Sequence, residues 1–132
     1  MTINEAREVM YQLFATGWGN TTAYTFENED YDPPALLPWA RVSVLHEFAG
    51  QETLGAVGNR RFQRTGRVFV QINVPKNAGM SQLDGLLVKA KDIFEGVHST
   101  VWFRDVMFSV LGTNGKWLAG LMEAQFYYDE VK

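Results

Sequence analysis

The sequence predicts an α+β fold: an antiparallel twisted β-sheet built from hairpins, with two amphipathic helices packed on one face. Three observations carry that expectation. Two segments repeat apolar residues at three- and four-residue spacing, others alternate with period two, and glycine-containing turns join the alternating segments in pairs. Hairpin-joined strands pair antiparallel, and two apolar helix stripes need a sheet face to cover.

The first element is a helix. Thr2 followed by Glu5 fits a capping box, in which side chains satisfy orphan backbone N–H groups at a helix start. Ile3, Ala6, Val9, Met10, Leu13 and Phe14 then form one stripe, and Gly17 and Gly19, flanking Trp18, end it. Residues 23–26, Ala-Tyr-Thr-Phe, read as a short strand of β-favouring types. Residues 27–34 are acidic and close on Pro33 and Pro34, which supply no ladder donors, so they read as an exposed connection.

From Trp39 the period becomes two. Ala40, Val42, Val44 and Phe48 share one face and Arg41, Ser43 and Glu47 the other, as in a half-buried strand. Gly50, Gly55 and Gly58 punctuate the next stretch of chain. A second strand alternates through Val68, Val70, Ile72 and Val74 and is closed by Pro75. Together these predict a long hairpin arm whose mobile tip carries Arg60, Arg61, Arg64 and Arg67. A loop over 76–80 leads to a second helix, with Ser81 as N-cap, Asp84 in its first turn, and a stripe of Leu83, Leu86, Leu87, Ala90, Ile93, Phe94 and Val97. Val106, Phe108 and Val110 alternate as a further strand. Thr113, Asn114 and Gly115 supply a tight turn, and 116–128 the returning strand.

Composition narrows the function classes. At 132 residues the chain is one domain's length, residues 1–132, and 46% hydrophobic content is ample for a core. With no cysteine there are no disulfides, thiolate metal ligands or thiol nucleophile. Twelve basic against 15 acidic side chains disfavour a general nucleic-acid binder. The charged start MTINEAREVM does not read as a secretory leader, and no apolar run approaches a membrane span.

Candidate chemistry is sparse. His46 and His98 are the only histidines, and without ligand-type spacing they do not read as a metal pair. Residues 112–116 fail as a phosphate loop. The glycine spacing is short, Trp117 stands where Ser or Thr would hold magnesium, and strands flank it. Glu27, Glu29, Asp30 and Asp32 lack the ligand spacing of a hand-type calcium loop and read as a solvated turn. Neither metal nor cofactor is expected.

Arg60, Arg61, Arg64 and Arg67, with Phe62, stand out as a local positive field in an acidic chain. They read either as a solvated strand face or as a docking element, since arginine binds carboxylates bidentately and is enriched at interfaces. On either reading their charges are expected to matter little for folding. Trp39, Trp102, Trp117, Tyr127 and Tyr128 lie on or beside strands, some in the core and some free to anchor a partner.

The run Trp39-Ala40-Arg41-Val42-Ser43-Val44, the segment from Gly58 through Arg67 to Ile72, Pro75 and Gly79 before a helix, and the closing Phe126-Tyr127-Tyr128-Asp129 resemble phage tail terminator (tail completion) proteins and related minor tail proteins. The resemblance runs from the first helix to the last strand and includes no catalytic motif. It implies a small α+β virion protein, assembled in the host cytoplasm, that forms a hexameric ring on the finished tail tube. Such a ring ends tube polymerisation and presents a surface to the head–tail connector or neck protein. It further implies that residues 60–66 contact the ring or the tube protein. The acidic turn of Glu27, Glu29, Asp30 and Asp32 would then face a lumen through which DNA passes without specific binding. The competing expectation is a small-molecule-binding domain or enzyme on a curved α+β sheet, suggested by the strand aromatics and His46.

Overall fold

The computed structural model describes residues 1–33, 37–51, 53–77 and 79–132, without the side chains of Phe48, Ala49 and Asn114. Pro34 and the inward placement expected of Phe48 therefore lie outside the described residues. The elements are α1 (Ile3–Trp18), β1 (Ala23–Phe26), β2 (Trp39–Gln51), β3 (Arg61–Pro75), α2 (Ser81–Phe94), β4 (Trp102–Asn114) and β5 (Trp117–Val131). The strands form one sheet in the order β1-β2-β3-β5-β4. The α+β architecture expected from the sequence is present. Both hairpins are antiparallel, and β3 joins them by pairing antiparallel with β5.

One pairing departs from the hairpin rule, because β1 lies parallel to β2. A parallel neighbour requires the chain to cross back to the starting end, which takes about a dozen residues. The stretch between Phe26 and Trp39 makes that return. Its length reflects topology as well as solvation.

Helix α1 begins as expected, with the Glu5 N–H donating to Thr2 Oγ1 at 3.2 Å. It continues through Gly17 to Trp18 and stops at Gly19, whose φ of 56° is the left-handed region glycine tolerates. Helix α2 departs from expectation at its start. Ser81 is already its first helical residue, and the N-cap is Met80, which makes no side-chain capping bond. The turn of the β4–β5 hairpin also shifts, to Gly115 and Lys116, leaving Asn114 paired with Trp117.

Ala6, Met10, Phe14 and Trp18 of α1 and Leu83, Leu87, Ala90 and Phe94 of α2 are buried in one cluster with the inward residues of the sheet. Val68, Val70, Ile72 and Val74 of β3 are fully buried there, together with Met122, Ala124 and Phe126 of β5. Each of these side chains larger than alanine contributes about 1.5–3 kcal/mol by leaving water, so two rows of them across central strands anchor the fold. No described helix is long and apolar enough to cross a membrane.

Candidate assembly surface

The arginines are not on a mobile tip. Arg61, Arg64 and Arg67 lie within β3, a central strand bonded to β2 on one side and β5 on the other. Only Arg60 precedes it, tied down by a bond from its Nε to the Lys132 carbonyl at 3.2 Å. Strand alternation then divides the group. Arg61 and Arg67 point to the face away from the helices, whereas Phe62 and Arg64 share the parity of Val68 and Val70 and face the helical side.

Each strand arginine meets acid from its own chain. Arg61 stands 3.7 Å from Asp129, and Arg67 lies 3.2 Å from Glu47 and 3.5 Å from Glu123. These pairs are exposed and contribute about 0–1 kcal/mol each. Arg64 differs. Its Nη2 and Nε both donate to Glu130 Oε1, at 2.9 and 3.1 Å, with the two side chains only 13% and 15% exposed. Its guanidinium also lies over the Phe62 ring, as do the charged groups of Arg60 and Lys132. The expectation that all four charges are dispensable for folding therefore fails at Arg64.

The acidic turn also divides. Glu27 Oε1 accepts hydrogen bonds from Tyr11 Oη at 3.0 Å and the Val44 N–H at 2.9 Å, with Arg7 Nε at 3.9 Å. The Glu27 N–H itself bonds the Val42 carbonyl, so the carboxylate takes the place of the next ladder acceptor after β1 ends. Glu29 Oε1 turns back to accept from the Phe26 N–H at 3.1 Å and from Thr25 Oγ1 at 3.3 Å. Those two carboxylates hold the fold, which a purely solvated turn would not require. Glu29, Asp30 and Asp32 are all exposed, and of these Glu29 is engaged by its own turn.

His46 lies on the inward register, as expected, with Nε2 2.9 Å from Tyr128 Oη and its ring edge-on to Phe126. Burial, with Arg7 and Arg64 nearby, holds its pKa below the ordinary 6.5. Burial foremost, then the bond to Glu27, pushes Tyr11 up to about 12. The depressed His46 pKa makes stability depend on pH. As pH falls below 6.5 the unfolded chain takes up the proton first, so stability declines until the folded-state pKa is passed. A series of melts through that interval should show the decline, and His46→Gln should flatten it. An unchanged slope in the variant would remove His46 from the account. His98 is elsewhere, stacked on Trp102 with ring centroids 5.0 Å apart. The structure does not bring the two histidines together, and no group of three metal-ligating side chains occurs among the described residues.

Strand β4 departs from the pattern expected of it. Of Val106, Phe108 and Val110, expected to alternate into the core, only Val106 packs against it. Met107, Phe108, Val110 and Leu111 are each 44–55% exposed. Register shifts between Arg104 and Met107 and between Val110 and Gly112 bend the strand, with Asp105 left-handed at φ 53°. A signal was present, since residues 106–111 are apolar on both parities, unlike a half-buried strand with one wet face. Large apolar side chains on a sheet edge mark an association surface.

No family model and no curated protein matches this chain. A solved protein chain is similar in fold, with 15% sequence identity, a TM-score of 0.64 and 96% of each chain covered. At that identity the likeness extends to the fold alone.

Proposed function

We propose that this chain is a structural virion protein of the tail terminator kind. In this reading it forms a ring, six copies around, that caps the tail tube, ends its polymerisation and offers the head–tail connector a docking surface. The observation that carries the reading is the edge strand β4. A 13-residue strand with four large apolar side chains nearly half exposed costs solubility unless another chain covers it. The terminator-like pattern around β2 and β3 supplies the particular assembly. Exposed Arg61 and Arg67, with Arg60, then meet the tube, and Asp30 and Asp32 face the lumen and repel passing DNA.

The test is to disrupt the gene in the phage or prophage that encodes it and measure tails by electron microscopy. Tails of uncontrolled length, corrected by supplying the protein, are expected. Tails of normal length that still join heads would overturn the reading.

A cleft favours a second reading, small-molecule binding. Arg61, Gln63, Thr100, Trp102, Tyr127 and Asp129 help line a space of about 460 Å³, with Trp102 and Tyr127 rings 5.4 Å apart. Ligand-dependent thermal stabilisation that is lost in Trp102→Ala would support it; no stabilisation across a broad metabolite panel would remove it.

A further inference from the structure

We infer that the exposed edge of β4 docks against the opposite edge of a second copy, over the cleft between α1 and β1. The inference rests on the self-assembling part of the proposed function and names its seam.

Residue rows across the sheet carry the argument. Phe26 is level with Val42, Val70, Met122 and Phe108 in turn, and Tyr24 with Ala40, Ile72, Gly120 and Val110. The short strand at one edge thus stands at the height of the exposed apolar segment at the other. A neighbour rotated about an axis along the strands brings the two together without sliding. Strand sense agrees, because β1 runs with β2, β2 and β5 both oppose β3, and β4 opposes β5. β4 therefore meets β1 antiparallel. Faces agree as well. By row, Phe108 and Val110 share the face of Phe26 and Tyr24, so the seam continues one apolar surface.

The chemistry of the two edges is complementary. A cleft of about 280 Å³ beside β1 is lined by Tyr11, Ala15 and Phe26, with Gln12 and the carboxylates of Glu8 and Glu29. The Tyr11 and Phe26 rings stack at 4.1 Å and make an apolar floor. The β4 edge presents Phe108 and Val110 to that floor. Arg104, 59% exposed, lies over the Tyr127 ring on the outer face, so the match at the cleft is apolar. Asp105, 4.0 Å from Arg104, sits where the strand bulges. Glu29 already caps the Phe26 N–H, so side chains rather than a long backbone ladder carry the seam. Matched heights and opposed strand sense at the two ends of one sheet suit another copy as the occupant, and a heterologous contact of this kind closes into a ring when its rotation permits.

The cysteine-free chain makes a clean test. Ala23 and Ser109 are exposed, and their rows place them on the outer face, two residues apart along the seam. The variant Ala23→Cys/Ser109→Cys, treated with a short bis-maleimide, should give a ladder of cross-linked species absent from either single variant. Phe108→Glu should weaken association about tenfold or more with an unchanged circular dichroism spectrum, because its row sets the new carboxylate level with Phe26, in the cleft that Glu8 and Glu29 line. Cross-linking by Ser109→Cys alone means β4 meets β4 and overturns the seam. A wild-type oligomer by native mass with no ladder overturns the seam and leaves assembly standing. A wild-type chain monomeric at every concentration and absent from tube ends overturns both.

Discussion

Gly66→Ala should cost about 3 kcal/mol or more, at or beyond the upper end of what overpacking usually costs. A Cβ at that position would stand 2.0 Å from the Leu45 carbonyl oxygen, 2.9 Å from His46 Cα and 2.8 Å from Phe126 Cζ. Two of those atoms are backbone of β2 and cannot step aside singly. β3 is also held on its other side by β5, so relief would have to move two ladders. The site lies opposite His46, beside the bulge that shifts the β2–β3 register before Phe48. Urea unfolding would measure the loss, with Gly85→Ala as control. Gly85 sits in α2 with nothing within 4 Å of a Cβ, so alanine there should stabilise by about 0.5–1 kcal/mol. A Gly66→Ala protein within about 1 kcal/mol of wild type would mean the strands do not approach this closely.

The second large effect is expected at Arg64→Glu, about 2–4 kcal/mol. The change sets a carboxylate against Glu130 in a site where both side chains are mostly buried, and it removes the cation over Phe62. Exchanging the pair, Arg64→Glu with Glu130→Arg, should recover much of the loss, because the double variant restores opposite charges. Arg61→Glu is the comparison. Its partner Asp129 is 3.7 Å away and both are about half exposed, so it should cost no more than about 1 kcal/mol. Equal losses at Arg61 and Arg64 would contradict the division of β3 into a wet face and a covered one. For assembly work, charge reversal at Arg60, Arg61 and Arg67 tests docking, whereas reversal at Arg64 tests the fold.

Much of the candidate site was invisible at the level of pattern. Glu27 looked like one of four equivalent acids. Its Tyr11 and Val44 partners lie 16 and 17 positions away in sequence, and only the packing of α1 beside β1 brings them together. Glu29, by contrast, bonds within its own turn, but a carboxylate's choice between water and a backbone N–H leaves no mark on composition. Gly66 falls among the arginines expected on a mobile hairpin tip, and nothing in its neighbours marks it as a close approach. The constraint on it comes instead from the closeness of another strand.

The kind and order of elements were legible in the chain alone: two helices from 3.6-residue stripes, strands from alternation, and the α+β class from their succession. Those features arise from neighbours a few residues apart, which the chain states directly. Tertiary structure was needed to settle which strands became edges. Apolar residues on both parities set β4 apart from a half-buried strand, but they fit a central strand covered on both faces as well as an outer one. Only the order β1-β2-β3-β5-β4, set by the central pairing of β3 with β5, left Met107, Phe108, Val110 and Leu111 in water. Exposure is a property of position in the sheet, and local spacing does not encode it.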